Sequence, residues 1–183
     1  GEEIDVKALI QDLETAVARG SFYPVLATAV PHGAAPGPVV GMQELLEVIT
    51  QAFPSPLEHA VPTVTDIDGG NPRQVRCDPD GPLVAEVVKT TSDPYVGRIS
   101  LVRVFSGTLR PDTVVHVSGH GLEDRGHEDH DVDERVGALS SPLGKHQRPV
   151  SACAAGDICA IAKLSRAETG DTLSDPGSPV VME

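Results

Sequence analysis

Tryptophan is absent from the 183 residues, and aromatic side chains make up only 3% of them. A core built from this chain therefore has to be aliphatic, drawn from Val, Leu, Ile and Ala, and apolar residues at 39% are enough to build one. Positive charge is also scarce. Fourteen Lys and Arg stand against 27 Asp and Glu, a net charge of −13. That balance excludes a whole-chain basic footprint for nucleic acid, so DNA is not expected as a partner. It equally excludes a polybasic attachment to a membrane surface. No apolar run approaches the roughly 18 residues that span a bilayer. Only three cysteines occur, Cys77, Cys153 and Cys159. An odd number without a secretory signal reads as a reduced, cytoplasmic chain. The sequence also lacks a G-x-x-x-x-G-K-[ST] phosphate loop, a G-x-S-x-G elbow and an H-E-x-x-H pair. No catalytic residue is assigned, and no activity is expected of this chain alone.

What is plentiful is punctuation: 18 glycines and 16 prolines imply many turns and short elements. From Asp5 to Gly20 the periodicity predicts a helix, with Val6, Leu9 or Ile10, Leu13 and Val17 on one stripe and Asp5 as N-cap. The apolar run Phe22–Val30 predicts a buried parallel strand. A Gly/Pro/Ala loop, Pro31–Gly41, leads to a second helix with Met42, Leu45, Leu46, Ile49, Ala52 and Phe53 on one face, stopped by Pro54-Ser55-Pro56. One strand cannot cover the apolar faces of two helices, so this part is expected to be a piece of a larger α/β domain and to expose apolar surface. From about Val64 the texture changes to short Val- and Ile-rich runs separated by Gly, Pro and Asp. Expected strands are Leu83–Thr91, Arg98–Ser106, Thr113–Ser118, Asp133–Leu139, Val150–Ala154 and Ile158–Leu164, forming a closed antiparallel barrel. The fold class is thus α+β, mainly β, with units at 1–63 and 64–183.

Three clusters carry possible chemistry. His116, His120, His127 and His130 sit among Glu123, Asp124, Glu128, Asp129 and Asp131. Imidazole and carboxylate could hold Zn²⁺ or Ni²⁺, but a flexible acidic loop supplies no second layer of support for ligands. The segment Gly119–Glu134 therefore reads as a solvated hairpin loop, and no metal is assigned. Cys153 and Cys159 are flanked by Ala152, Ala154, Ala155, Ile158 and Ala160, which reads as two small core hydrophobes. Lys145-His146-Gln147-Arg148, between Gly144 and Pro149, is the one local cluster of positive charge in the second half. It could reach RNA phosphates or be a plain solvated loop.

The second half resembles the second domain of translational GTPases, and elongation factor G most closely. The matching residues run from Thr91-Ser92-Asp93-Pro94-Tyr95-Val96-Gly97-Arg98-Ile99 to Arg103-Val104-Phe105-Ser106-Gly107-Thr108-Leu109. Glu134-Arg135-Val136-Gly137, Ala155-Gly156-Asp157-Ile158 and Thr169-Gly170-Asp171-Thr172-Leu173 follow in the family's order. The first sixty or so residues resemble the end of that family's GTPase domain. Tyr23-Pro24-Val25-Leu26-Ala27-Thr28-Ala29 looks like the strand leading to the guanine motif, with Thr28 and Ala29 in the Ser-Ala positions. Phe53-Pro54-Ser55-Pro56-Leu57 looks like the end of the domain's last helix. Thr28, the loop Val30–Gly41, the His-rich loop Gly119–Asp133 and the stretch Ala138–Gln147 all depart from the family's wording and point to a divergent paralogue.

The resemblance implies a fragment of a GTP-binding translation factor. GTP and Mg²⁺ would belong to the intact protein, with none expected here, and the ribosome, through small-subunit rRNA, would be the partner. It implies that Thr28 and Ala29 are a remnant of the guanine site. Lys145 and Arg148 are the expected rRNA contacts. A paralogue serving ribosome protection or stress binding is the alternative, and a metal-binding acidic barrel module a further one.

Overall fold

The computed structural model describes residues 5–31, 37–121, 126, 128–144 and 146–182. The chain divides into two compact units, Gly1–His59 and Ala60–Glu183.

The first unit holds two helices, α1 (Val6–Ala18) and α2 (Met42–Ala52). Asp5 caps α1 by accepting the Lys7 N–H at 3.0 Å, which satisfies one of the donors a helix leaves open at its start. The apolar stripes form as the periodicity predicts, and each is partly open to solvent. Val6 and Leu9 of α1, and Leu46 and Ile49 of α2, are exposed. The expected buried parallel strand over 22–30 is not there. Phe22, Tyr23, Val25 and Leu26 are exposed and outside any strand, and the only pairing among the described residues is an isolated antiparallel bridge between Ala29 and Val40. A parallel strand needs flanking strands to take up its N–H and C=O groups, and the described residues of this unit supply none. The bridge is closed by Ala29 N–H to Val40 carbonyl at 3.0 Å and its reciprocal at 2.9 Å. Gly41 follows with φ 69°, and a Cβ there would stand 2.1 Å from the Ala27 carbonyl oxygen.

The second unit is antiparallel throughout and mainly β. Its strands are β1 (Thr63–Asp66), β2 (Arg73–Gln74), β3 (Val84–Asp93), β4 (Gly97–Ser106), β5 (Thr108–Leu109), β6 (Val114–Gly119), β7 (His130–Arg135), β8 (Leu139–Leu143), β9 (His146–Val150), β10 (Cys153–Ala154), β11 (Ile158–Ala162), β12 (Thr172–Ser174) and β13 (Val180–Met182). Eight form one sheet in the order β7-β6-β12-β3-β4-β11-β8-β9, with β13-β1-β2 and β10-β5 as smaller sheets. The outermost strands of the large sheet, β7 and β9, each lay a valine, Val132 and Val150, against the same core. The sheet therefore curls round a single interior, as a barrel does.

That interior is aliphatic, as the missing tryptophan requires. Val87, Val102, Val104, Val117, Ile161 and Leu173 are fully buried, and Cys153 and Cys159 are buried among them. On β4 the fully buried positions are Ser100, Val102, Val104 and Ser106, while Leu101, Arg103 and Phe105 are half-buried on the outer face. A second small cluster, Val64, Val75, Val84 and Val180, lies under β1, β3 and β13.

Two expected strands divide. Asp133–Leu139 becomes the end of β7 and the start of β8. Between them Val136 exchanges hydrogen bonds with Asp112 and Thr113 beside β6, and the Ala138 carbonyl takes the Ala162 N–H at the end of β11. The chain here crosses from one end of the sheet order towards the other, which a continuous strand could not do. Val150–Ala154 likewise splits, with Val150 ending β9 and Cys153 pairing with Leu109 of β5.

Candidate functional site

Arg148 lies on β9 opposite Ser141 of β8, exposed on a two-stranded hairpin. The expected loop Lys145–Arg148 is therefore largely strand, and Lys145 falls outside the described residues. Thr28 and Ala29 lie in the first unit, exposed, with Ala29 fixed by its bridge to Val40. Arg148 and the Thr28–Ala29 pair belong to different units, and each is described by itself.

Part of the acidic, His-rich segment is strand and not loop. From His130 onward it is β7, paired with β6 in the register His116↔Asp133, Val117↔Val132, Gly119↔His130. His116 places Nδ1 2.7 Å from Asp133 Oδ1 and Nε2 3.3 Å from Asp131 Oδ1, and His120 Nε2 lies 2.8 Å from the other Asp131 oxygen. Burial works to raise the Asp131 carboxyl, but hydrogen bonds from His120 and His116 outweigh it and hold it below the usual aspartate value. His130 turns away from this group towards Asp171. Among the described residues no set of three or more His, Cys, Asp or Glu side chains is placed to hold a metal ion. The three imidazoles are instead committed to carboxylates within hydrogen-bond range. Glu123, Asp124 and His127 fall outside the described residues.

Other features were not signalled in the sequence. Glu134 Oε1 accepts from the Ser165 and Arg166 N–H groups, at 3.0 and 3.1 Å, and from the Ser165 hydroxyl, tying β7 to the segment after β11. Arg98 pairs with Glu168 at 2.6 Å. A cleft of about 260 Å³ opens beside the second apolar cluster, with Val64, Val75 and Val180 as floor and Arg73, Arg76 and Asp78 at the rim. Each joins residues tens of positions apart or rests on strands only two to four residues long, so neither periodicity nor motif spacing points to it.

The two thiols are in contact. Hydrogen bonding to Cys159 draws the Cys153 thiol below its ordinary value, while the same contact and burial push Cys159 far up. No Cys in the described residues is paired in a disulfide.

A barrel of this strand order, carrying the Gly-Asp turn motifs in sequence, defines a translation-factor domain. Residues 82–176 match the family described as Elongation factor G domain 2, and the chain belongs to that family. It is 61% identical over 189 residues to the Elongation factor G-like protein of Mycobacterium tuberculosis strain H37Rv, covering 100% of this chain and 26% of that protein. It is 31% identical over 185 residues to Elongation factor G of Ureaplasma parvum serovar 3, covering 24% of it. A crystal structure from Thermus thermophilus superposes with a TM-score of 0.59 at 27% identity, over 98% of this chain and 22% of that one. The chain spans about a quarter of the length of the curated relatives it matches. No helix of the described residues is long and apolar enough to cross a membrane.

Proposed function

We propose that this chain acts within an elongation factor G-like GTP-binding protein in ribosomal translation, its barrel docking on small-subunit ribosomal RNA and relaying nucleotide state to the other domains. The first unit, about residues 1–63, is the end of a GTPase domain, with Thr28 and Ala29 as what it contributes to the guanine site. GTP and Mg²⁺ are held by the intact protein, and the cytoplasm is its compartment. Lys145 and Arg148 are the rRNA contacts. The observation that carries this reading is the family match over residues 82–176. The exposed stripes Val6–Leu9 and Leu46–Ile49 support the first unit's assignment, because an α/β domain covers such faces with a sheet.

The test is GTP hydrolysis by the full-length protein with and without ribosomes. Stimulation by ribosomes, reduced in R148E by loss of a phosphate contact, is the expected result. Equal hydrolysis with and without ribosomes refutes the docking. A second reading, a paralogue serving ribosome protection or stress binding, is favoured by 61% identity to a protein named Elongation factor G-like against 31% to one named Elongation factor G. It predicts ribosome-stimulated hydrolysis without translocation of messenger RNA in a single-round assay.

A further inference from the structure

His130 opens β7 and stands opposite Gly119 of β6. A Cβ at Gly119 would lie 2.4 Å from His130 Cε1 and 2.6 Å from Asp171 Oδ1. Only glycine leaves room there for the ring and the carboxylate together. Asp171 is fully buried. The turn that carries it is fixed to β3, since the Gly170 N–H donates to the Val87 carbonyl at 2.8 Å and the Val87 N–H to the Asp171 carbonyl at 2.9 Å. The carboxylate is thus part of the barrel wall, and the imidazole is brought to it by the β6–β7 hairpin.

The hydrogen bonds count the protons. The Glu128 carbonyl, 3.0 Å from Nδ1, can only accept, so Nδ1 carries a hydrogen. Nε2 faces Asp171 Oδ2 at 2.9 Å. Either the ring is an imidazolium donating to a carboxylate, or a carboxylic acid donates to a neutral ring. Oδ2 also accepts the Glu168 N–H at 2.7 Å, which favours the first form. Both forms hold one proton more than a neutral ring beside a carboxylate. Without that proton a nitrogen lone pair would face a buried charge whose other oxygen, Oδ1, has no hydrogen-bond partner among the described residues. We propose that the His130–Asp171 pair is a proton-dependent latch that holds the β6–β7 hairpin against the Glu168–Asp171 turn.

The surroundings favour the proton. On β7 the neighbour is Asp131, shared with His116 and His120. The turn contributes Glu168, paired with Arg98. Glu128, Asp129 and Arg166 line the cleft beside the ring. On β3, Glu86 stands opposite Thr172, with Lys89 three residues on. Burial alone would lower His130, but the Glu128 carbonyl and Asp171 outweigh it and raise it above its ordinary 6.5. Burial raises Asp171 as well. Both directions mean that the closed pair keeps a proton the open side chains release. A raised histidine stabilises fully below about pH 6.5, and its contribution is lost as pH rises through the closed-state value.

The test is a titration of the 183-residue chain by NMR from about pH 5.5 to about pH 9, reading the His130 ring and β6–β7 amide exchange together. The expected His130 titration lies above 6.5, and the hairpin's opening constant rises up to about tenfold per pH unit in that window, flat on either side. In D171N the buried charge that retains the proton is gone, so the His130 titration falls towards 6.5 and the pH step shrinks. H130Q replaces the titrating ring with a neutral amide and removes the step. If D171N does not fold, the unmodified chain and H130Q decide. A His130 titration at or below 6.5 in the unmodified chain overturns the latch. So does a pH-independent opening constant, or a step that survives in H130Q.

Discussion

Two isoleucines on one strand provide an internally controlled measure of the barrel core. Ile158 and Ile161 both lie on β11, but Ile158 is 48% exposed while Ile161 is fully buried. Ile161 pairs with Ser100 of β4 on one side and Leu139 of β8 on the other, so neither neighbour can slide in to fill a gap. Ile161→Ala removes three buried carbons, about 2.4 kcal/mol at roughly 0.8 kcal/mol each. The unfilled cavity adds to this, giving about 3–4 kcal/mol in all. That is a large share of the roughly 5–15 kcal/mol that keeps a domain folded. Ile158→Ala should cost less than about 1 kcal/mol, mostly lost strand propensity. The assay is urea unfolding followed by amide resonances of β3, β4 and β11, because the chain has no tryptophan and Tyr95 is almost fully exposed. An Ile161→Ala cost under about 1 kcal/mol, or one no larger than that of Ile158→Ala, would refute the inward placement of Ile161.

Gly41→Ala forces a Cβ against the Ala27 carbonyl at a positive φ, so exchange protection of the Ala29 and Val40 amides should fall by roughly fivefold or more; unchanged protection would sink that account of the loop. Alkylation with iodoacetamide at neutral pH should label half-buried Cys77 first and leave Cys159 unmodified until unfolding, since the contact with Cys153 and burial keep its thiol protonated. Peptide mass spectrometry reads this, and labelling of Cys159 as fast as Cys77 would contradict it.

The sequence reveals the elements that carry their own signal. α1 shows in its three- and four-residue spacing and its Asp5 cap, and β3, β4 and β11 show in runs of Val and Ile. The ordered Gly-Asp turns carry the family likeness, because each pins a reversal of the chain. The apolar run at 22–30 misleads, since a buried strand and an unpartnered apolar segment read alike until the neighbours are known. β1, β2, β12 and β13 are two to four residues long, too short to set a period, and β12 buries Thr172 and Ser174 among its three residues. His130 and Asp171 are 41 positions apart. The histidine sits in what reads as a polar loop and the aspartate in what reads as a turn, and only the β6–β7 register brings them together.

The pairing of β1 with β13 has a mechanical consequence. Val64 lies opposite Met182 and Asp66 opposite Val180, so the first and last strands of the barrel unit run side by side in opposite directions. Tension applied just before Thr63 and just after Met182 would act across that pair at its open end. It would peel the bonds one after another instead of shearing them together, as a zipper yields to a pull on its two tabs. The small sheet would then give way as a low-force fuse before the eight-stranded sheet bears the load.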